Sequence, residues 1–345
     1  MLNDILSPAD RDRLLSLIDG AGSIVLCCHV NPDGDAIGSC LGWAGYLRSR
    51  GKDPKIIIPD QYPDFLQWMP GTQNIIRYDK HKDEADGLLA SADLLFCLDF
   101  NQTSRTDAMA PALEASPAPR VLFDHHLSPD VPGCAVTVSD TSMCSTCEIV
   151  FRVVWQLGGF SETDKTFAAP IYCGMMTDTG GFTYNSTRPE VYFIISQLLT
   201  KGIDKDKIYR NVYNNYSENR MRLVGYVLWR KLVVDSARHA SYFTLTKRDL
   251  HDFHFIKGDA EGLVNMPLQI KGMKLSISLR EDLYKDNLVW VSLRSVDDFP
   301  CNKVAEMFFN GGGHLNASGG RLYCSIGEAV RVTRRAIEHF ADKLK

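Results

Sequence analysis

The chain lacks the features that would anchor it in a membrane or direct it across one. It contains no apolar run of about 18 residues, which excludes an ordinary membrane-spanning helix. Its first residues, MLNDILSPADRDRLL, have neither the basic start nor the apolar core of a signal peptide. We therefore expect a cytoplasmic protein without a membrane partner.

An excess of positive charge is also missing. The formal net charge is −4 at pH 7, so the chain has no global basic surface that could hold long duplex nucleic acid by charge alone. A short anionic substrate, held by metal ions and a few local cations, remains compatible with this composition.

Ten cysteines are present, but a cytoplasmic setting excludes a disulfide framework and predicts free thiols. Cys144 and Cys147 have the spacing of a zinc knuckle without a second pair nearby, so we expect them in a helical core. Other cysteines lie inside apolar runs and are expected to be small buried hydrophobes: Cys27, Cys28, Cys97 and Cys173.

The length and the pattern of elements predict an α/β protein of two domains, because 345 residues exceed one typical core. Over residues 1–214, strands alternate with helices, as in a doubly wound parallel sheet. Four buried strands are expected, in the order 2-1-3-4: Ser23–Cys28, Lys55–Ile58, Leu94–Leu98 and Val121–Phe123. Helices are expected at 8–20, 36–50, 61–69, 142–157, 164–176 and 189–201.

The pattern changes beyond residue 214. An amphipathic helix over 215–232 is expected to connect the first domain to a smaller one at 233–345, which combines a mixed sheet with helices. Its predicted strands are Ala240–Thr246, Lys274–Arg280 and Leu288–Arg294, and its predicted helices are Asn302–Phe309 and Gly327–Lys343. We expect an active-site cleft between the two domains.

Acidic and histidine side chains follow three of the four predicted parallel strands. Parallel strands share one carboxyl edge, where ligand sites collect beside a switch point in strand order. We therefore expect these side chains to converge, with Asp178 arriving at the same edge from a helix. Taken singly, an acid such as Asp33 or Asp178 could instead be a helix cap or turn residue, and the sequence Asp-His-His a hydrogen-bonded loop. The residues are His29, Asp33, Asp35, Asp99, Asp124, His125 and His126.

So many carboxylates in one cleft cannot all remain ionised unless cations are present. Mixed nitrogen and oxygen ligands suit a borderline divalent ion such as Mn²⁺, and the number of ligands fits two ions. Two ions about 3.5–4 Å apart need a bridging carboxylate and can clamp the attacking and leaving oxygens of a phosphoryl displacement. A Ser or Cys nucleophile is the competing mechanism, but the sequence contains no motif that would activate one.

Four ordered motifs resemble those of the DHH phosphoesterase superfamily: HVNPDGDA at 29–36, Asp99 after its strand, Asp124-His125-His126, and TDTG at 177–180. GGGHLNASG at 311–319 resembles the loop of the DHHA1 substrate-binding domain. The resemblance spans nearly the whole chain and is strongest to the nano-RNase and pAp-phosphatase branch. Membrane-anchored cyclic-di-AMP phosphodiesterases of the superfamily carry sensor segments, RecJ exonucleases carry extra nucleic-acid-binding modules, and the pyrophosphatase branch carries a DHHA2 domain. We expect none of these in this protein.

The resemblance implies a role for each residue of the site. One ion would be held by His29, Asp33 and Asp99. The other would be held by Asp35, Asp99, His125 and Asp178, with Asp99 bridging. His126 would contact phosphate or orient a ligand, and Asp124 would orient its neighbours.

The second domain carries candidate substrate-binding residues. Its glycine run permits a close backbone approach to an anion, His314 could donate to a terminal phosphate or a base, and Arg294 could clamp phosphate. Without the resemblance, the run would be a plain loop and Arg294 a surface cation. The full set is Arg294, Asn302, Gly311, Gly312, Gly313, His314 and Asn316.

The resemblance thus predicts a hydrolase that degrades very short oligoribonucleotides, including linear dinucleotides such as pApA and pGpG, and that could dephosphorylate pAp. The alternatives are a cyclic-dinucleotide phosphodiesterase, a non-catalytic nucleotide-binding module and a polyphosphatase or pyrophosphatase. An apolar helix at Val191–Leu199 could support a homodimer.

Overall fold

A computed structural model describes residues 2–256 and 258–345 of the chain. The chain divides into two units, Met1–Asn215 and Tyr216–Lys345, and each unit contains one six-stranded sheet. Within the described ranges, no helix has the length and apolar character that a bilayer crossing would require.

The strands of the first sheet are β1 (Ile24–Cys27), β2 (Lys55–Ile58), β3 (Ile76–Arg77), β4 (Leu94–Leu98), β5 (Arg120–Asp124) and β6 (Cys134–Ser139). All neighbouring strands run parallel, in the order β3-β2-β1-β4-β5-β6. The four predicted strands correspond to β1, β2, β4 and β5, so the predicted order at the centre of the sheet is confirmed.

In the described part of the first unit, eight α-helices accompany this sheet: α1 (Pro8–Gly20), α2 (Gly34–Ser49), α3 (Lys82–Ala90), α4 (Ala110–Ala115), α5 (Thr146–Gln156), α6 (Lys165–Asp178), α7 (Pro189–Thr200) and α8 (Lys205–Tyr213). Short 3-10 helices lie at Asp64–Leu66, Thr72–Asn74, Thr103–Met109 and Gly159–Glu162.

Alternate residues of the central strands feed two hydrophobic clusters. Leu26 of β1 and Phe96 of β4 pack with α1, α2, α5, α6 and α7. Val25 and Cys97 of the same strands pack with α3 and α4. Since successive side chains of a strand point to opposite faces, helices cover both faces and the doubly wound arrangement is confirmed.

Helices α2 and α6 pack unusually closely, because α2 presents a row of glycines to α6. A Cβ atom on Gly34 would lie 2.2 Å from Thr177 Oγ1, and one on Gly38 would lie 2.6 Å from the Pro170 carbonyl oxygen. The helices run antiparallel, so the start of α2 meets the end of α6. The small residues on this face of α2 make the close approach possible.

Three expectations for the first unit were wrong in detail. Two edge strands, β3 and β6, were missed, and the helix expected over 61–69 is only the 3-10 turn Asp64–Leu66. The helix expected from residue 142 begins at Thr146, with Ser145 as its cap. The helix begins after Ser145 because the Ser145 side chain accepts the amide hydrogen of Glu148, as a helix cap does.

Helix α7 contributes to the core of its own unit. Val191, Ile194 and Leu198 are buried in the hydrophobic core of the first unit. Tyr192 and Leu199 of the same helix remain exposed, so the homodimer suggested for this helix stays a prediction.

The strands of the second sheet are β7 (Val233–Asp235), β8 (Ala240–Leu245), β9 (Leu275–Glu281), β10 (Val289–Ser295), β11 (Gly312–Gly313) and β12 (Ala317–Leu322). The sheet is mixed, as expected, with the order β11-β12-β10-β9-β8-β7. Strands β8 and β9 are parallel, and the other neighbouring pairs are antiparallel.

The helices of the second unit cover both faces of this sheet. The segment expected to connect the domains forms α9 (Glu218–Tyr226) and a π-helix at Val227–Lys231, and its Leu223 and Val227 pack against Phe243 of β8. The remaining helices are α10 (Lys247–Asp252), α11 (Cys301–Phe308), α12 (Ile326–His339) and α13 (Ala341–Leu344), with 3-10 helices at Ser236–Arg238 and Leu263–Gln269.

Candidate active site

The acidic and histidine residues that follow the strands lie together at the carboxyl edge of the first sheet. His29 follows β1, and its Nε2 lies 3.4 Å from Asp99 Oδ2, beyond the end of β4. His125 follows β5, and its Nε2 lies 3.6 Å from Asp99 Oδ1 and 3.5 Å from Asp178 Oδ2. The α2–α6 packing brings Asp178, the last residue of α6, next to the start of α2.

The candidate donor atoms fall into overlapping groups, each with its atoms within 4.8 Å of one another. Three of these groups share Asp99. One adds His29 and Asp33, one adds Asp35 and His125, and one adds Asp124 and His126. Asp99 is 2% exposed and takes a left-handed backbone conformation, with φ of 64°. Non-glycine residues adopt this conformation rarely, and such strain collects at functional sites.

Asp33 has a second role, as the cap of α2. Its Oδ1 accepts the amide hydrogens of Asp35 and Ala36 at 3.0 and 3.1 Å. The helix-cap alternative is therefore realised in the structure, and it orients this carboxylate beside His29 and Asp99.

Opposite charges set the protonation of the His29–Asp99 pair. Burial by itself would lower the pKa of His29, but the hydrogen bond to Asp99 and the charges of Asp33 and Asp99 raise it. Burial would likewise raise the pKa of Asp99, yet the hydrogen bond from His29 and the charges of His126, His29 and His125 hold it well below its usual range. Asp99 is thus an ionised carboxylate at the centre of the site.

The other carboxylates are crowded. Burial, followed by the negative charge of Asp99, raises the pKa of Asp35 to about 7. Burial also raises the pKa of Asp178, against the opposing effect of His125. For His125, burial is outweighed by the charges of Asp178, Asp99 and Asp35, which raise its pKa to about 9.

This crowding fits a divalent cation. Without one, carboxylates in the cluster retain protons at neutral pH, whereas a cation among them would favour the ionised forms. The donors are carboxylate oxygens and imidazole nitrogens, a combination that suits Mn²⁺ and related ions. The residues that could hold ions are His29, Asp33, Asp35, Asp99, His125 and Asp178.

Asp124 and His126 form their own pair. His126 Nδ1 lies 2.7 Å from Asp124 Oδ1, and the His126 amide donates to Asp124 Oδ2 at 3.1 Å. Asp124 is fully buried, so its carboxylate fixes the orientation of the His126 ring.

Sequence reasoning missed a segment of the site. The amides of Thr146 and Cys147 donate to the Asp35 carboxylate at 2.6 and 2.9 Å, and Thr146 Oγ1 donates to Asp99 Oδ1 at 2.9 Å. His125 Nδ1 lies 3.4 Å from the carbonyl oxygen of Met143. We call Met143–Cys147 the α5 entry segment. Most of these contacts come from backbone groups, which any residue type could supply. The one recognisable pattern in the sequence is Ser145, a typical helix-capping residue three positions before Glu148.

Arg105 was missed as well. Its carbonyl accepts the Val30 amide at 2.7 Å, which ties it to the loop after β1. Its positive charge acts on His29 and opposes the rise in the pKa of that imidazole. Arg105 is therefore a cation beside the acidic cluster, where an anionic substrate would gain from it.

The candidate residues of the second unit have mixed roles. Asn316 Nδ2 donates to Ser295 Oγ at 2.9 Å and to the Asp297 carbonyl at 3.0 Å, so its amide holds a turn rather than facing a substrate. Asn302 Oδ1 accepts the Lys303 amide at 2.9 Å. Arg294 Nη1 donates to the neighbouring Leu293 carbonyl at 2.9 Å, a local contact that leaves other donors of its fork for a ligand.

The glycine run is paired rather than a plain loop. Gly312 and Gly313 form β11 against β12, and a Cβ on Gly311 would lie 1.9 Å from the Gly319 carbonyl oxygen. Packing alone therefore requires glycine at position 311. His314 follows this strand, and its amide donates to the Ala317 carbonyl at 2.9 Å.

Comparisons with known proteins relate this site to an enzyme class. The family model described as "DHH family, N-terminal domain" matches residues 23–175. A protein of Thermus thermophilus named "Bifunctional oligoribonuclease and PAP phosphatase NrnA" is 28% identical over 318 residues, which cover 90% of each chain. The crystal structure of an exopolyphosphatase-related protein from Bacteroides fragilis is 49% identical, covers 99% of both chains and superposes with a TM-score of 0.95.

RecJ from Thermus thermophilus, solved in complex with Mn²⁺, shares the fold at 12% identity and a TM-score of 0.57, over 98% of this chain and 55% of RecJ. The fold, the site and these matches define the class: the protein is a phosphoesterase, a hydrolase of phosphate esters. The chain belongs to the DHH family, as its motifs indicated.

Proposed function

We propose that the protein is a two-metal phosphodiesterase that hydrolyses very short oligoribonucleotides and linear dinucleotides such as pApA and pGpG to mononucleotides. We include the dephosphorylation of pAp in this proposal. The observation that carries it is the position of Asp99, whose carboxylate belongs both to the donor group of His29 and Asp33 and to that of Asp35 and His125. The names of relatives such as the Thermus thermophilus protein support the choice of substrates.

The ligand sets are part of the proposal. His29, Asp33 and Asp99 would hold one ion, while Asp35, Asp99, His125 and Asp178 would hold the other. When bound, the ions, which we propose to be Mn²⁺, would supply charge stabilisation and lower the pKa of a bound water. The mixed donor set supports this metal.

The chain's own residues would orient the reaction. Asp124 holds the His126 ring through a contact of 2.7 Å, so His126 can present its other nitrogen to a phosphoryl oxygen. Arg105 adds positive charge on the side of His29. Charge-assisted contacts of this kind stabilise the negative charge that develops on the transferred group.

We propose that residues 1–214 are the catalytic domain and that residues 233–345 bind the rest of the substrate. Arg294, His314 and the amides of Gly312 and Gly313 would contact its terminal phosphate. A clamp on a terminal phosphate selects short substrates, because a long strand would place that phosphate too far from the bond to be cut.

A substrate panel tests the proposal. It contains pApA, pGpG, pAp, an RNA of about five nucleotides, an RNA of about 24 nucleotides, a cyclic dinucleotide and inorganic polyphosphate, each with Mn²⁺ and with EDTA. We expect mononucleotides from the short linear substrates with Mn²⁺ and none with EDTA. Turnover in EDTA would refute the metal mechanism, and binding without turnover would indicate a nucleotide-binding module.

One alternative has a specific observation in its favour. The 49% identical structure from Bacteroides fragilis is described as related to exopolyphosphatases. The polyphosphate arm of the panel decides this point: phosphate release from polyphosphate, faster than cleavage of pApA, would favour the alternative. Preferred cleavage of the cyclic dinucleotide would favour a cyclic-dinucleotide phosphodiesterase.

A further inference from the structure

A buried ion network lies next to the site, at the start of α5. Glu148 has no solvent exposure, and its carboxylate accepts hydrogen bonds from Arg152 at 2.9 Å and Arg188 at 2.5 Å. Glu148 Oε2 also accepts the amide hydrogen of Cys144 at 2.8 Å. Arg152 is 5% exposed, so two of the three charged side chains are withdrawn from water.

The Cys144 contact ties this network to the α5 entry segment, Met143–Cys147. Arg188 Nη1 also lies 4.0 Å from Met143 Sδ. The network therefore contacts Met143 and Cys144, the first two residues of the segment. The Ser145 side chain in turn accepts the Glu148 amide hydrogen at 3.1 Å.

The same segment holds three candidate metal ligands. The Met143 carbonyl faces His125 Nδ1. Since a carbonyl can only accept, Nδ1 carries the hydrogen and Nε2 is presented to the carboxylates. The amides of Thr146 and Cys147 hold Asp35, and the Thr146 hydroxyl holds one oxygen of Asp99.

Helix capping does not account for the whole arrangement. A glutamate at the third helical position often accepts an amide near the helix start, but this role requires no arginine. Burying an arginine and a carboxylate costs desolvation energy that an apolar pair would avoid, and in some proteins such networks are retained because they specify one geometry. Arg188 also lies beyond the turn that follows Asp178, so it links that turn to the segment.

We propose that Glu148, held between Arg152 and Arg188, is a positioning residue that fixes the α5 entry segment and, through it, His125 and Asp35. The ion held by Asp35, Asp99, His125 and Asp178 then depends most strongly on the network, because the segment contacts three of its ligands. The ion held by His29, Asp33 and Asp99 shares only Asp99 with the segment. This inference rests on the two-ion site of the proposed function.

Arg188→Met tests the inference with a matched control. The Arg188 side chain is 30% exposed and pairs with Glu148. Arg50 is 28% exposed and pairs with Asp19 at 2.8 Å. It follows the last residue of α2, at the opposite end of that helix from Asp33 and Asp35. Calorimetric titration of metal-free full-length protein with Mn²⁺ is expected to show an affinity loss of about 10–100-fold for one ion in Arg188→Met, typical of removing a group that orients a metal ligand.

The ion held by His29, Asp33 and Asp99 should lose clearly less affinity in Arg188→Met than the other ion. Arg50→Met should match wild type for both ions, and Arg188→Lys should recover part of the loss. Glu148→Gln removes the charge at the centre and should have a larger effect on the same ion. Circular dichroism and a melting curve establish whether Glu148→Gln folds. If this variant does not fold, the metal titration of Arg188→Met alone decides the test.

Other outcomes separate the two proposals. Wild-type affinity for both ions in Arg188→Met, or an equal loss of both, would overturn the positioning role while leaving the two-ion site intact. If wild-type protein binds fewer than two Mn²⁺ ions, the proposed function itself fails, independently of Arg188.

Discussion

At the scale of single residues, Asp99 meets more structural requirements than any neighbour in the described site. Its backbone has φ of 64°, its side chain is buried, and its two oxygens face different partners. Oδ2 faces His29, while Oδ1 accepts from Thr146 and lies near His125. Asparagine tolerates the left-handed region as aspartate does, so Asp99→Asn removes the charge without straining the backbone.

The raised pKa values predict how the metal-free protein responds to pH. The pKa of Asp35 rises to about 7 and that of His125 to about 9, so the folded protein binds more protons than the unfolded chain between about pH 4 and 9. The stability contributed by these groups is fully present at the acid end and is lost as pH rises through each folded pKa. The slope is roughly 1 kcal/mol per pH unit while one extra proton is bound.

Calorimetric melting of metal-free protein at pH 5 and pH 8 measures this effect, with Asp35→Asn as the comparison. Wild type should lose more stability than Asp35→Asn on going to pH 8, and Mn²⁺ should reverse the loss by binding the ionised carboxylates. A pH response that is identical in the two proteins would contradict the prediction.

Side chains at strand ends could be predicted from the sequence, whereas backbone donors could not. His29, Asp99 and His125 are polar residues directly after apolar runs, and parallel strands bring such residues to one edge. The amides of Thr146 and Cys147 hold Asp35 from over 100 positions along the chain, and every residue type has an amide. Asn316 shows the opposite error. Its polar side chain was expected to face the substrate, but its amide donates to the Asp297 carbonyl and stabilises a turn.

At the scale of elements, the α2–α6 contact places Asp178 beside the start of α2. Glycine allows this approach, because any side chain at Gly38 would meet the Pro170 carbonyl oxygen at 2.6 Å and Cys147 Sγ at 3.0 Å. The small residues of α2 were visible in the sequence, but the identity of the partner helix was not. The edge strands were missed for a related reason: β3 has only two residues, and Pro132 and Gly133 precede β6 in a stretch typical of a loop.

Gly38→Ala tests this contact. Overpacking is expected to cost about 1–3 kcal/mol of unfolding free energy and to weaken Mn²⁺ binding by moving Asp178. Gly87 of α3 is the matched control, because nothing lies within 4 Å of a Cβ placed there. Gly87→Ala should be neutral or stabilise the protein by up to about 1 kcal/mol. Urea denaturation of both variants gives the comparison, and equal effects would refute the packing argument.

At the scale of the whole molecule, the chain consists of two units with separate cores. The acidic and histidine cluster lies in the first unit, while the glycine run and Arg294 lie in the second. The change from a parallel to a mixed sheet was visible as a change in strand pattern. The sequence did not reveal that residues 216–232 belong to the second unit, because an amphipathic pattern does not identify the sheet that the helix covers.

His314→Ala tests the proposed division of labour. It should weaken binding of pAp and pGpG about tenfold or more, the effect of losing one charge-assisted contact of about 1.5–3 kcal/mol, while Mn²⁺ stoichiometry stays at the wild-type value. His251→Ala is the control, since that side chain is 88% exposed and lies on α10 of the same unit. Unchanged nucleotide binding in His314→Ala, measured by fluorescence competition, would assign substrate recognition elsewhere.

The central claim is that Asp99 bridges two ions, and the number of Mn²⁺ ions bound per chain tests it most directly. Metal analysis after dialysis, together with titration calorimetry, should give two ions for wild type. Asp99→Asn should retain its fold, bind fewer than two ions with weakened affinity, and lose about 10³-fold or more of its phosphodiesterase activity. Two tightly bound ions and normal turnover in Asp99→Asn would contradict the account.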